Sequence, residues 1–421
     1  MNAVNESRAG LRPEDPDVIV IGAGPAGAIA AALLKRKGYD VLVIERQAFP
    51  RFSIGESLLS HCLDFIEEAG MLDAVKAAGF QHKNGAAFAW GDRQTHFDFR
   101  EKFTPGHGAT FQVQRASFDK LLADEAERQG VRIRYQQEVT AAHIDGHGAR
   151  LQVRPLAGGE PYEARARFVL DGSGYGRVLS RLLALETPSS MPERRAIFTH
   201  VEDRITAPDF DRDKILITVN PQQRGVWYWL IPFSNGRSSL GVVADASVFE
   251  PAAGTDLREQ LQAWVAQAPG LRRQLANAQW DTPANTIGGY SANVKQLHGP
   301  GYALLGNAAE FLDPVFSSGV TIAMRSASMA AEVLDRQLRG QSVDWEAEFA
   351  EPLRRGVDAF RAYVDGWYDG SFQDVVFYEK AQPDVRRMIC SILAGYAWDL
   401  NNPYVAEPNR RLKTLAALCA A

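Results

Sequence analysis

Four apolar runs punctuate this chain. Residues 18–21 (Val-Ile-Val-Ile) and 41–44 (Val-Leu-Val-Ile) are β-branched and unbroken, and 168–170 and 302–305 are equally apolar. Such runs predict strands buried on both faces. An Ala- and Leu-rich stretch after the first run predicts a helix to about residue 36, ended by Gly38. Elsewhere the period falls to two. Alternation predicts a hairpin over 86–90 and 95–100 and a meander over 139–145 and 149–154. It also predicts a mostly antiparallel sheet from 195–201, 215–219, 226–232 and 238–243. Helices are expected over 58–69, 115–129, 254–277 and 320–338, and the chain is helical and aromatic-rich from about 344. The order predicts an α/β fold. Residues 16–85, 110–185 and 286–340 form a discontinuous Rossmann-type nucleotide-binding domain. Residues 86–109 and 190–285 form an inserted, mostly antiparallel β-sheet substrate domain, and 341–421 a helical C-terminal region. Residues 1–15 are a polar, flexible lead-in.

The first strand and helix enclose Gly22-Ala23-Gly24-Pro25-Ala26-Gly27, which fits G-x-G-x-x-G. The first glycine permits the tight turn, the second lets backbone approach a pyrophosphate, and the third lets helix and strand pack closely. Glu45 ends the second strand about 18 residues past Gly27, near the roughly 20 expected for a carboxylate on a ribose hydroxyl. A glycine-rich structural turn alone would not require strand, helix, strand and terminal acid in register. Asp171-Gly172 and Gly306-Asn307 end two further buried strands. No second G-x-G-x-x-G follows another strand, so the chain is expected to hold one dinucleotide and no separate NAD(P)H domain. A single large cofactor over three glycine-ended strands points to FAD.

Composition narrows the rest. A net charge of −5 gives no sign of a nucleic-acid partner, and there is no basic stripe with interleaved aromatics, so none is expected. Cys62, Cys390 and Cys419 lie far apart, fitting neither a metal site nor a disulfide framework, and suit a reducing cytoplasm. The N-terminal residues lack a basic-then-apolar leader, and no apolar run reaches membrane-span length. Four candidates for chemistry remain. Gly55-Glu56-Ser57 reads as a turn feeding a helix N-terminus at Leu58, where free N–H groups suit phosphate or an electron-rich ring; an ordinary capped helix is the alternative. Arg115 opens a helix and either reaches a phosphate or stays on the surface. Lys83 precedes the first hairpin, where most lysines are solvated. Trp227, Trp229 and Ile231 alternate on one strand face and form either an aromatic core or the wall of a cavity.

Four stretches, Gly22–Gly27 (GAGPAG), 49–58 (FPRFSIGESL), 227–232 (WYWLIP) and 313–320 (DPVFSSGV), together resemble the flavin-dependent halogenases, a branch of the FAD monooxygenase-like fold. The resemblance spans roughly residues 16–340. It implies that Gly22, Gly24, Pro25, Ala26 and Gly27, with Glu45 and Arg46, hold the ADP half of FAD, and that Arg115, Asp171 and Gly172 add contacts. A strap from 49 to 57, including Ser53, Ile54 and Gly55, would cover the ring system, with Asn307, Asp313, Gly319 and Val320 beside it. Ser318 and Gly319 would offer N–H groups to chloride or bromide. Trp227, Trp229, Ile231 and Pro232 would keep substrate from the flavin. In this family FADH2, supplied by a separate flavin reductase, O2 and halide give hypohalous acid. A lysine, here Lys83, receives it and halogenates an electron-rich aromatic ring, free or on a carrier protein.

Two departures bear on substrate and cofactor. Phe316 stands where the tryptophan-halogenase branch has a glutamate, so the chain looks closer to the phenol and pyrrole branch. Asn307 replaces that branch's aspartate, removing a charge from the flavin site. The alternatives are an NAD(P)H-dependent aromatic hydroxylase or reductase of the same fold, and a non-catalytic binding or scaffold homologue. Complete WxWxIP and FSSGV motifs speak against both.

Overall fold

Residues 15–189, 191–249 and 256–420 are described by a computed structural model; the expected lead-in lies, apart from Asp15, outside them. The unbroken apolar runs behave as their pattern dictates. Strands Val18–Ile21, Val41–Ile44 and Phe168–Asp171 are buried at every residue. They pair in parallel, with Arg132–Arg134 beyond the second and Tyr302–Leu304 beyond the third. His298–Gly299 closes one edge antiparallel. Helices Pro25–Arg36 and Ser318–Leu338 pack against each other, and the former presents Ala26, Ala28 and Ala30–Ala32 as a buried, small-residue surface.

The alternating segments form two further sheets. The meander has a third strand, Tyr162–Ala166, whose inward side chains Ala164 and Ala166 are too small to give a strong sequence signal. The large sheet runs in the order Asn285–Gly288, Arg194–Glu202, Arg237–Asp245, Trp227–Pro232, Lys214–Val219, Gly85–Trp90, Arg93–Asp98. All its neighbours are antiparallel except Lys214–Val219 with Gly85–Trp90. C-terminal helices, chiefly Glu351–Asp369, Pro383–Leu393 and Pro408–Ala420, follow, with Trp367, Phe372 and Phe377 buried as core. Among the described residues no helix is long and apolar enough to cross a membrane.

One expectation fails for a tertiary reason. The helix predicted from Leu58 begins at Cys62. Leu58 N donates to Phe111 O (3.1 Å) and Val113 N to Glu56 O (2.7 Å), while Ser57 bridges Gln112. Pairing with the strand Thr110–Gln112 thus claims the backbone at 56–58, and no helix N-terminus forms there. The same strand pairs with Gln81–Lys83, so Lys83 ends a short strand of its own and, as expected, precedes the hairpin that begins at Gly85.

Candidate functional site

A cavity of ≈ 680 Å³ opens between the C-terminal ends of the parallel strands and the Trp227–Pro232 strand. The glycine loop forms one end. Gly22 has φ +91°, and a Cβ there would lie 2.7 Å from Gly172 O; a Cβ on Gly27 would lie 1.8 Å from Gly22 O. Gly27 therefore permits close helix packing behind the cavity, while Gly22, Gly24, Pro25 and Ala26 line it. Glu45 also lines it and braces the loop: Oε2 accepts from Ala23 N (2.8 Å) and Oε1 from Gln47 N (2.7 Å). Arg46 sits at the rim, paired with Glu138 at 3.2 Å.

The strap crosses the cavity. Ser53, Ile54 and Gly55 line it, and Arg115 anchors it by donating from Nη1 to Ile54 O (2.6 Å). Arg115 is itself held by the buried Asp119 through Nε (2.7 Å) and Nη2 (2.9 Å), a bidentate, charge-assisted pair. Two charged side chains of the strap line the cavity without having been given a role by the sequence. Arg51 shares Asp119 (3.2 Å), and its guanidinium lies 3.2 Å from where a Cβ on Gly24 would be. Glu56 lines the cavity with its carboxylate 2.8 Å from His200 Nε2. Both lie inside the strap motif, so charged residues flanking Gly55 were the available signal. Of the remaining strand-end groups, Gly172 lines the cavity. Asp171 lies fully buried behind it, accepting from Ser173 N (3.0 Å) and Leu179 N (2.7 Å), with its pKa raised by burial.

The third glycine-ended strand delivers Asn307, which lines the cavity with a buried Oδ1 that lacks a hydrogen-bond partner. A Cβ on Gly319 would lie 3.7 Å from that oxygen. Gly319 and Val320 line the cavity, whereas Ser318, 2% exposed, opens the long helix just behind. Ser317 takes the left-handed conformation (φ 56°) that turns the chain into this helix. Asp313 does not line the cavity; it is buried behind, and burial pushes its carboxyl up to about 6. Phe316 packs edge-on against Trp367 and Phe372. Trp227, Trp229 and Ile231 do line the cavity, so the strand face read as core or wall is a wall; Pro232 ends the strand outside it. A glycine cradle that admits no Cβ and an unpartnered amide oxygen are features a bound dinucleotide would use.

Lys83 lies outside this cavity and is fully buried. Its Nζ donates to Leu58 O (2.7 Å) and stands 5.3 Å from the Phe99 ring centre. Burial lowers its pKa to about 7, against a weaker opposing effect of Cys62. Cys62 in turn contacts Thr321 Oγ1 at 3.1 Å, in the first turn of the Ser318 helix. The segment that follows the strap therefore touches the lysine through Leu58 and the helix that carries Gly319 through Cys62.

A family model described as FAD binding domain matches residues 15–358. A flavin-dependent halogenase of Armillaria mellea is 31% identical over 374 residues, covering 82% of this chain and 69% of its own. The chain belongs to the flavin-dependent halogenases. It is thus an enzyme with an FAD-binding domain. A Pseudoalteromonas luteoviolacea brominase of 1H-pyrrole-2-carbonyl peptidyl-carrier protein is 28% identical, covering 91% of this chain and 92% of that one. A tryptophan 2-halogenase of Chondromyces crocatus is 31% identical over 78% of this chain, which spans 63% of that relative's length. These relatives do not distinguish a phenol and pyrrole branch from a tryptophan branch. Among solved structures, a flavoprotein/dehydrogenase from Cytophaga hutchinsonii shares 44% identity at a TM-score of 0.93, covering 97% of this chain and 99% of that one.

Proposed function

We propose that the chain is an FADH2-dependent halogenase that passes hypohalous acid from the flavin cavity to Lys83, which halogenates an electron-rich aromatic ring. The observation that carries this reading is the setting of Lys83. It is a fully buried amine without a carboxylate partner among the described residues, lowered by burial to a pKa of about 7. On the backbone segments that pair with it or follow its Leu58 partner are buried oxygens with no hydrogen-bond partner among the described residues. Thr110 Oγ1 is on the residue paired with Lys83; Gln112 Oε1 and Ser57 Oγ are on bridged neighbours, and Ser60 Oγ is two residues past Leu58. Unsatisfied buried polar groups cost stability and persist where a site needs them. Here they suit a small polar oxidant moving toward an amine.

Reduced flavin, when bound, would give O2 two electrons and halide would give the other two, so that one oxygen atom ends in water and the other in hypohalous acid. Gly22, Gly24, Glu45 and Arg115 would fix its ADP half, and Asn307 and Gly319 its ring end. The first N–H groups of the Ser318 helix, at Ser318 and Gly319, would hold chloride or bromide. Trp227 and Trp229 would keep the ring substrate out of the flavin cavity. At Lys83 the ammonium would polarise hypohalous acid by hydrogen bonding, and the neutral amine would take the halogen as the O–halogen bond breaks, its own N–H proton leaving with the hydroxide as water; a pKa of about 7 makes both forms available at neutral pH. Phe316, packed in apolar surroundings, supplies no base, which favours a phenol or pyrrole that activates its own ring. The brominase relative acts on a carrier-bound pyrrole, and such a substrate fits this reading, as does a separate flavin reductase.

The test is a bromination assay with FAD, flavin reductase, NADH and bromide. It offers free phenols, indoles and pyrroles and their carrier-bound forms, and reads products by mass spectrometry. Brominated product that disappears in Lys83→Ala is expected. Hydroxylated product would refute the reading. The 44% identical flavoprotein/dehydrogenase favours a second reading, an oxidoreductase without halide. That reading requires NAD(P)H to bleach bound FAD with no reductase present.

A further inference from the structure

We infer that Tyr368 is a positioning residue for Trp227 and that, through Asp313, it ties this indole of the cavity wall to the turn that leads into Ser318. Trp227 Nε1 donates to Tyr368 Oη (2.9 Å), Tyr368 Oη donates to Asp313 Oδ2 (2.9 Å), and Asp313 Oδ1 accepts from Val315 N (3.0 Å). The direction of the chain is fixed by chemistry. An indole N–H only donates and a carboxylate only accepts, so a hydroxyl is the group that can join them. Arg194 completes the cluster, with its guanidinium 3.2 Å from the centre of the Tyr368 ring and Nε 3.7 Å from Asp313 Oδ2.

The neighbouring indole shows why this linkage matters. Trp229 Nε1 donates to Ser239 Oγ (3.0 Å), and its ring fills the space over Gly241, where a Cβ would lie 2.3 Å away. Both partners belong to the adjacent strand, so the sheet itself orients Trp229. Trp227 takes its polar partner from the last turn of the Glu351–Asp369 helix. One wall residue is thus set by the sheet and the other by the C-terminal region, through a carboxylate that also shapes the turn at 313–315. Removing the Tyr368 hydroxyl takes the hydrogen-bond partner from the Trp227 indole N–H and, at once, from Asp313 Oδ2, which keeps only the longer Arg194 contact, and it frees the Trp227 ring.

The geometric claim stands on these bonds, and its consequence for products rests on the halogenase reading. In flavin-free protein labelled with ¹⁵N-tryptophan, the Trp227 indole N–H resonance is assigned by its absence in Trp227→Phe. It should shift in Tyr368→Phe while the other tryptophans hold position. In turnover with bromide, Tyr368→Phe should lower brominated product per flavin oxidised by about fivefold, the equivalent of one buried hydrogen bond, with hydrogen peroxide rising to match. In a Trp227→Phe background the same substitution should cost less than in the parent, because the part of the effect that passes through that ring is already lost and only the Asp313 contact remains to lose. An unmoved Trp227 resonance, or an equal loss in both backgrounds, overturns the inference. If the parent yields no brominated product, the halogenase reading fails and the resonance still decides this one. Should Tyr368→Phe not fold, Asp313→Asn serves, since its amide puts an NH2 donor in place of one of the two oxygens that accept from Val315 N and Tyr368 Oη; it too should shift the Trp227 resonance.

Discussion

Replacing Lys83 with methionine should abolish halogenation and at the same time stabilise the protein at low pH. The lysine pKa falls from 10.5 to about 7 on folding because burial strips the ammonium of water. At about 1.4 kcal/mol per tenfold change, that fall corresponds to about 5 kcal/mol of destabilisation. Below pH 7 the amine is protonated in both folded and unfolded chains, and this cost is present in full. Between pH 7 and 10.5 the folded amine is neutral while the unfolded one still binds a proton. The cost then shrinks by about 1.4 kcal/mol per pH unit, to about 2 kcal/mol at pH 9. Methionine carries no such cost, but it leaves Leu58 O without its donor, worth about 1–3 kcal/mol at every pH. Lys83→Met should therefore exceed the parent by about 2–4 kcal/mol at pH 6 and roughly equal it at pH 9. Urea unfolding of both proteins at the two pH values, followed by tryptophan fluorescence, measures this difference; contributions from other titrating groups cancel. A stability gap that is the same at pH 6 and pH 9 would refute the reasoning, because it would mean that Lys83 titrates as a solvated lysine.

Two further substitutions probe the cofactor site. Gly27→Ala places a Cβ where Gly22 O already stands, 1.8 Å away. FAD titration should show loss of binding and thermal unfolding a lowered midpoint, since overpacking here costs about 1–3 kcal/mol or more; parental values for both would contradict the close-packing argument. Asn307→Asp supplies a charged acceptor at the unpartnered oxygen and should tighten FAD binding by about 3- to 10-fold, as a charge-assisted bond does. Because that oxygen lies near Gly319, the bromide KM should rise in the same variant, and steady-state kinetics against bromide would show it.

Local features of the chain were legible because their physics is local. The glycine loop needs positive φ and close backbone approach at adjacent positions, so residues 22–27 declare it directly. Fully buried parallel strands need unbroken apolar runs, and 18–21, 41–44 and 168–170 supply them. Period-two alternation placed Trp227, Trp229 and Ile231 on one face, although it left open whether that face met a core or a cavity. The resemblance to halogenases then pointed to Lys83, which by pattern alone was indistinguishable from a surface lysine.

Burial and partnership were decided elsewhere in the chain. The helix expected at Leu58 starts at Cys62 because a strand more than 50 residues on claims the intervening backbone. Lys83 acquires a pKa of about 7 because Leu58, Phe99 and Thr110 close around it, and none of them lies near it in sequence. The Trp227–Tyr368 bond spans 141 positions and the Tyr368–Asp313 bond 55. A sequence determines backbone conformations and periodic faces over a few turns, where neighbours along the chain are neighbours in space. Dielectric surroundings and hydrogen-bond partners depend on which distant segments meet, and here only the packing of the sheets, the strap and the C-terminal helices decided them.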